Sequence, residues 1–426
     1  MYAPVLGGAE HHLKTVSEGL VSRGHEVTVF AANVTSAWDS CRNRCGELPR
    51  LEMINGVKVV RFDPDGGILR KSLDRWMGLK GGYRSVKYLF SPGGQELLLH
   101  GPRMFTVIPQ IIRFDADIVA SMNWFWPPAY HTHLARRLKR FTLVGIPLFH
   151  TTQPWCDRAI YRKMLPICDA IAVNTSHEKE FAQERGAGRV EVAGVGIDPK
   201  AFESRNGKIR ERYGLGSYPV VGYVGREDPE KGLYEVIKAM RTVWTWNKEV
   251  RLVLAGPRFP SNRNIEAAMD GFSDSQKDRI VHIGEFDEAD KASIFDALDV
   301  YALPSRAESF GIAYLEAWLC DKPVIGARVA VTECVIDDGV DGLLVDSNDP
   351  DDIARAIIRL LSDRDLRERM GRNGHTKTIT QYTWDKVIDR LERLYLDLAT
   401  ATSKNYFSLK RAKTKHAFPR SLEPLD

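Results

Sequence analysis

The sequence contains no apolar run approaching the roughly 18 residues that a membrane-spanning helix requires, so no transmembrane segment is expected. Its first residues, Met1-Tyr2-Ala3-Pro4, lack the basic stretch and apolar core of a secretory signal, and a cytoplasmic protein is expected. Cysteine is scarce: six in 426 residues (Cys41, Cys45, Cys156, Cys168, Cys320, Cys334), with no paired framework. That usage fits a reducing compartment. Cys41 and Cys45 alone cannot build a structural zinc site, which takes four ligands. Charge imbalance is also missing from the body. Residues 401–426 carry six Lys/Arg against two Asp/Glu, and the first 400 residues carry 54 of each sign. A neutral body lacks the basic face on which nucleic-acid affinity rests, so no nucleic-acid partner is expected. There is no short-period repeat either.

What is present is the composition of a globular protein, 43% hydrophobic and 27% charged, long enough for two domains of about 200 residues each. Short β-branched runs alternate with helical patterns, as in parallel sheets covered by helices. Strands are expected at 26–31, 57–62, 116–122, 142–149, 170–175 and 190–194, and in a second series at 218–224, 250–255, 280–283, 299–303, 322–326 and 342–345. The main helices are expected at 10–23, 232–245, 288–298, 311–320, 351–362 and 384–399. The segment 196–217 separates the two series. The expected fold is therefore α/β with two Rossmann-like domains: 1–197, 198–382, a final helix over 383–402, and a basic tail, 403–426, without regular structure. One element is out of place. A doubly wound domain opens with a strand that delivers the chain into its first glycine loop, yet Gly7-Gly8 lies within ten residues of Met1. The first strand of the first domain is expected to be missing, with an additional strand of about 6–8 residues belonging ahead of Tyr2.

The strongest chemical signal is Pro304-Ser305-Arg306-Ala307-Glu308-Ser309-Phe310-Gly311-Ile312-Ala313-Tyr314-Leu315-Glu316. Strand 299–303 ends in a turn that feeds a helix, so the backbone N–H groups of Ser309, Phe310 and Gly311 sit where a phosphate is bound. Glu308 lies in that turn. Glu316 lies inside the helix among apolar neighbours, where a carboxylate needs donors; ribose hydroxyls or a structural Arg or Lys would supply them. Arg226 and Lys231 fall between strand 218–224 and the next helix, at a helix N-terminus that opposes cations. A diphosphate would compensate them, and so would Glu227, Asp228 and Glu230.

Two glutamates with seven residues between them, in the frame Glu-Ser-Phe-Gly after Pro-Ser, resemble the donor-site motif of family 4 retaining glycosyltransferases of the GT-B fold. The resemblance extends along nearly the whole chain. Gly225-Arg226 through Lys231-Gly232, Leu252 through Gly256, His282-Ile283-Gly284 and Asp341 through Val345 match the nucleotide-binding domain. Gly7-Gly8-Ala9-Glu10, Arg23 through Val27, Phe149-His150-Thr151 and Gly194 through Asp198 match the acceptor domain. The resemblance implies a nucleotide diphosphate sugar as donor, with Glu308, His150, Arg226 and Lys231 in the reaction. Gly7, Gly8, Ile283, Ser309, Phe310, Gly311 and Glu316 join Arg226 and Lys231 in holding the donor. It further implies a saccharide or lipid-linked acceptor. Two cations and two helix N-termini can stabilise the departing diphosphate, so no metal or other cofactor is expected.

Three features are weaker. Asn123-Trp124-Phe125-Trp126 follows a strand at the cleft edge and could stack on an acceptor sugar or simply pack. His131 and His133 lie on a helix pattern and carry no functional signal. Segment 68–90 holds six basic residues interleaved with apolar ones, consistent with peripheral contact to an anionic membrane or with an ordinary covering helix.

Overall fold

The computed structural model describes residues 2, 7–35, 45–65, 102–124, 126–151, 154–157, 159–257 and 264–415, with side chains through Ala401. The basic segment 68–90, Phe125 and Cys41 lie outside the described residues.

In the first domain the strands fall into two sheets. β1 (Thr28–Ala32) pairs in parallel with β3 (Val57–Phe62), and β2 (Leu51–Ile54) adds an antiparallel edge. β2 was not expected from the sequence. It is created by Asn55 and Gly56, whose φ of 48° and 81° make the tight turn that joins two hairpin strands. β4 (Val119–Met122), β5 (Leu143–Ile146), β6 (Ala170–Val173) and β7 (Val190–Val192) form a parallel sheet in that order. One further strand would be needed to join β1 to β4 in a single doubly wound sheet. Among the described residues none does so. Helix α1 (Gly8–Ser22) spans both sheets: Val16 and Leu20 pack with Val144 and Ala170, while Leu13 and Val21 pack with Val29 and Val57.

The second domain is one six-stranded parallel sheet, β8 (Val220–Val224), β9 (Arg251–Ala255), β10 (Ile280–Gly284), β11 (Val300–Leu303), β12 (Val324–Ala327) and β13 (Gly342–Val345), in the order β10-β9-β8-β11-β12-β13. Most of its strands are buried on both faces, which is why they read as continuous apolar runs. The strand order reverses between β8 and β11, and ligands of such sheets bind outside the carboxyl ends at that point. After β8 comes α2 (Leu233–Trp246), and after β11 comes α3 (Ile312–Leu319).

The last helix, α4 (Trp384–Lys415), returns to the first domain. Val387, Ile388, Leu391, Leu394 and Leu398 pack with Val144, Ala170 and Ala172, and Arg23 on the first domain pairs with Glu392 at 2.7 Å. The backbone stays helical through Lys415, which corrects the expectation of an irregular chain from residue 403. Neither glycine nor proline occurs between Trp384 and Phe418, and Leu, Lys, Arg and Ala favour helix even without an apolar period. Among the described residues no helix is long and apolar enough to cross a membrane.

The first domain buries titratable groups in opposite senses. Burial holds His12, His131 and His133 at about 4, with His11 adding to the effect on His12 and Arg137 on His133. Burial raises Glu178 to about 8, against hydrogen bonds from the Asn174 and Thr175 backbones. Below the ordinary histidine value of 6.5 these three side chains bind three more protons in the unfolded chain than in the fold, so their contribution to stability falls as the pH drops towards about 4. Glu178 acts the other way, because the fold holds its proton between 4.5 and about 8 and stability falls as the pH rises through that window. Each proton is worth about 1.4 kcal/mol per pH unit. Stability is therefore expected to peak near pH 6.5 and to fall by roughly 3 kcal/mol per unit on the acid side. Urea midpoints between pH 4.5 and 8.5 measure this, and a maximum at or below pH 5 contradicts it.

Candidate active site

The loops leaving β8 and β11 are joined to each other. Asp228 caps the short turn Pro229–Lys231, its Oδ1 accepting from Glu230 N at 3.0 Å. The backbone N–H of Arg306 donates to the Glu230 carbonyl at 2.8 Å, and the Arg306 guanidinium reaches the Pro229 carbonyl. Lys231 Nζ donates to the Ala307 carbonyl at 3.2 Å and to Glu308 Oε1 at 2.6 Å. Two glycines permit this approach. A Cβ on Gly232, whose φ is 77°, would lie 2.4 Å from the Pro304 carbonyl oxygen, and one on Gly311, φ 92°, would meet the Tyr314 ring at 2.5 Å. These glycines cap α2 and α3, so two helix N-termini open at the switch point of the sheet. No backbone acceptor among the described residues takes the N–H groups of Ser309, Phe310 or Gly311. Donors in this arrangement favour an anion.

Glu308 is 8% exposed and pairs with Lys231. Of the acidic residues beside Lys231 in sequence, which offered a local explanation for its charge, Asp228 is taken up in capping its own turn. His150, which follows β5 in the first domain, interacts electrostatically with Glu308, Lys231, Arg226 and Glu230. The two domains thus bring the four expected reacting residues together. Burial lowers the His150 pKa from its ordinary 6.5, with Glu308 opposing and Lys231 and Arg226 reinforcing. A neutral imidazole at pH 7 follows, able to exchange hydrogen bonds with a hydroxyl.

Glu316 on α3 pairs with Lys291 at 3.1 Å, and Lys291 also reaches Glu288. Burial raises the Glu316 pKa, opposed by Lys291. The structural partner considered for this carboxylate is therefore present, and it is Lys291, which the sequence analysis did not name. Its signal was available: a cation in the first turn of a helix asks for a compensating anion. Ile283 lines a cavity of about 330 Å³ at the carboxyl end of β10, with Tyr213, Glu285, Phe286, Asp287 and Ile294. Gly7 caps α1 and Gly8 begins it, both exposed; no backbone hydrogen bond joins them to the loops after β8 or β11. Trp124 is 1% exposed, donates to the Ser121 carbonyl at 3.0 Å and stacks on Tyr161, so it packs and does not offer a face to a sugar. Trp126 is half-buried. His131 and His133 are core residues, and among the described residues no group of three or more His, Cys, Asp or Glu is placed to hold a metal ion.

Solved structures place this architecture in a class. Sucrose-phosphate synthase from Thermosynechococcus elongatus superposes with a TM-score of 0.68 at 20% identity, covering 93% of this chain and 94% of that one. Anabaena HepE in complex with UDP and glucose gives 0.65 at 17% identity, covering 92% and 96%. The fold is that of two-domain GT-B glycosyltransferases. The family model Glycosyltransferase Family 4 matches residues 6–201 and the model Glycosyl transferases group 1 matches residues 206–377, and the chain belongs to this family of enzymes, which transfer a sugar from a nucleotide sugar. Among curated relatives, phosphatidyl-myo-inositol mannosyltransferase from Mycobacterium leprae is 26% identical over 94% of this chain and 96% of its own. The capsular polysaccharide biosynthesis glycosyltransferase CapM from Staphylococcus aureus is 28% identical over 61% and 70%.

Proposed function

We propose that this protein is a retaining transferase that moves a sugar from a nucleotide diphosphate sugar to a saccharide or lipid-linked acceptor, in the synthesis of a cell-surface polysaccharide or glycolipid. The observation that carries the reading is the Lys231–Glu308 pair at the β8–β11 switch point, faced across the domains by His150. Arg226, Lys231 and the N–H groups of Ser309, Phe310 and Gly311 hold the diphosphate. Glu308 holds the donor sugar, and the pair Glu316 and Lys291 receives the ribose, with the base against Ile283. Gly7 and Gly8 at the start of α1 complete the donor side from the first domain.

No residue stands as an obvious covalent nucleophile, so a front-face route is favoured. The bond from the anomeric carbon to the phosphate oxygen breaks as the acceptor oxygen bonds to the same face, and the acceptor proton passes to the leaving phosphate oxygen. His150 bonds a sugar hydroxyl. The relatives that act on phosphatidyl-myo-inositol and in capsular polysaccharide synthesis support a lipid-linked or saccharide acceptor. Such an acceptor suits a cytoplasmic enzyme working at the inner face of an anionic membrane.

Turnover of UDP-, GDP- and ADP-sugars by the purified protein, with the product's anomeric configuration read by NMR, tests the proposal. One donor is expected to be consumed with retention. Activity is expected to persist in excess EDTA, since Arg226, Lys231 and two helix N-termini carry the leaving charge; complete loss restored by Mg²⁺ would overturn that expectation. Tight donor binding without turnover on any acceptor would mark a non-catalytic binding protein.

A further inference from the structure

Beneath the phosphate-facing loops lies a layer of three tyrosines, Tyr223 on β8, Tyr301 on β11 and Tyr314 on α3, each 0% exposed. Tyr223 donates to the Arg226 carbonyl, Tyr301 to the Val224 carbonyl at 2.8 Å, and Tyr314 to the Leu303 carbonyl at 2.7 Å. All three acceptors lie where the chain leaves the sheet at the switch point. The ladder between β8 and β11 covers only Val300 with Val221 and Tyr301 with Gly222. Beyond that register the two strands part, and the crevice that opens is the one the loops line. The Tyr301 hydroxyl, reaching from β11 to Val224 on β8, occupies the place of the missing ladder bond. Tyr314 ties the first turn of α3 to the end of β11, and its ring lies against Gly311. The rings of Tyr301 and Tyr314 meet edge to face at 6.3 Å.

A core residue at these positions needs no hydroxyl; leucine or phenylalanine fills such a place without a polar atom to satisfy. Here each hydroxyl is instead spent on one of the carbonyls that set the path of the two loops. We infer that Tyr301 and Tyr314 are positioning residues for the donor diphosphate: their hydroxyls hold the loops after β8 and β11 at the separation the diphosphate spans. The inference rests on the donor assignment above and deepens it.

The test uses the full chain with Tyr301→Phe and Tyr314→Phe, which keep the rings. Trp244→Phe serves as the control, because Trp244 Nε1 donates to the Val250 carbonyl at 2.9 Å, at the amino edge of the same sheet. Calorimetric titration with UDP and with GDP reads the diphosphate site, and thermal melting reads the fold. Each tyrosine variant is expected to bind its nucleotide about tenfold more weakly, one neutral hydrogen bond's worth, and Trp244→Phe to melt earlier with unchanged affinity. Unchanged affinity in both tyrosine variants, or an equal loss in Trp244→Phe, overturns the inference. Failure of the unsubstituted chain to bind either nucleotide or any ADP-sugar would instead remove the donor assignment itself.

Discussion

Replacing Lys231 with alanine is expected to weaken donor binding about 10- to 100-fold, the range of ~1.5–3 kcal/mol for a hydrogen bond to a charged group. Two effects add. The diphosphate loses a cation, and Glu308, whose carboxylate sits 2.6 Å from Lys231 Nζ and is 8% exposed, is left facing the donor uncompensated. Glu308→Gln separates them. It releases Lys231 for the diphosphate, so donor affinity is held or improved while turnover falls, because the glutamine cannot hold the donor sugar as a carboxylate does. Titration of both variants with the donor found by screening decides the matter. Unchanged affinity in Lys231→Ala for every donor that the unsubstituted chain binds would place the diphosphate elsewhere.

Trp318→Ala is expected to cost about 3–5 kcal/mol of stability, as for large-to-small changes at buried aromatic positions. Trp318 is 0% exposed on α3, and its Nε1 donates to the Asp341 carbonyl at 2.9 Å. The neighbouring helix Arg364–Gln381 approaches so closely that a Cβ on Gly374 would lie 2.0 Å from the indole. Lys377 of that helix sits 5.5 Å from the ring centre and pairs with buried Asp341 at 2.8 Å. The cavity left by alanine thus opens beside a buried ion pair. A loss of that size is a large part of the roughly 5–15 kcal/mol available to a domain. Denaturant titration measures it; a change below about 1 kcal/mol would mean that the site collapses freely around the deletion.

The strands of the second domain were legible because they are buried on both faces and read as uninterrupted β-branched runs. The turns after β8 and β11 were legible for a different reason. Pro304-Ser305, Gly311 and Gly232 are punctuation that only a tight turn into a helix requires, and the charges of Arg226, Lys231, Glu308 and Glu316 are anomalous where they stand. β2 was missed although Asn55-Gly56 announces a hairpin, because Leu51–Ile54 lies on an exposed edge and shows no continuous apolar run. Helix α4 was cut short because apolar periodicity ends near Leu398, whereas helix propensity continues to Lys415.

The sequence by itself determined the α/β class, the two-domain division, the position of the turns after β8 and β11 and the residue types at them. These are local properties, written in spacing and in residues that tolerate only one backbone. Tertiary structure alone decided which charges meet. Lys231 could have paired with Glu227, Asp228 or Glu230 a few residues away, yet it pairs with Glu308, 77 positions on. Glu316 found Lys291, and three tyrosines from three elements turned their hydroxyls to the ends of β8 and β11. Partner choice of this kind depends on the order of strands in the sheet. That order brings β8 and β11 together across nearly 80 residues of chain, and no local pattern encodes it.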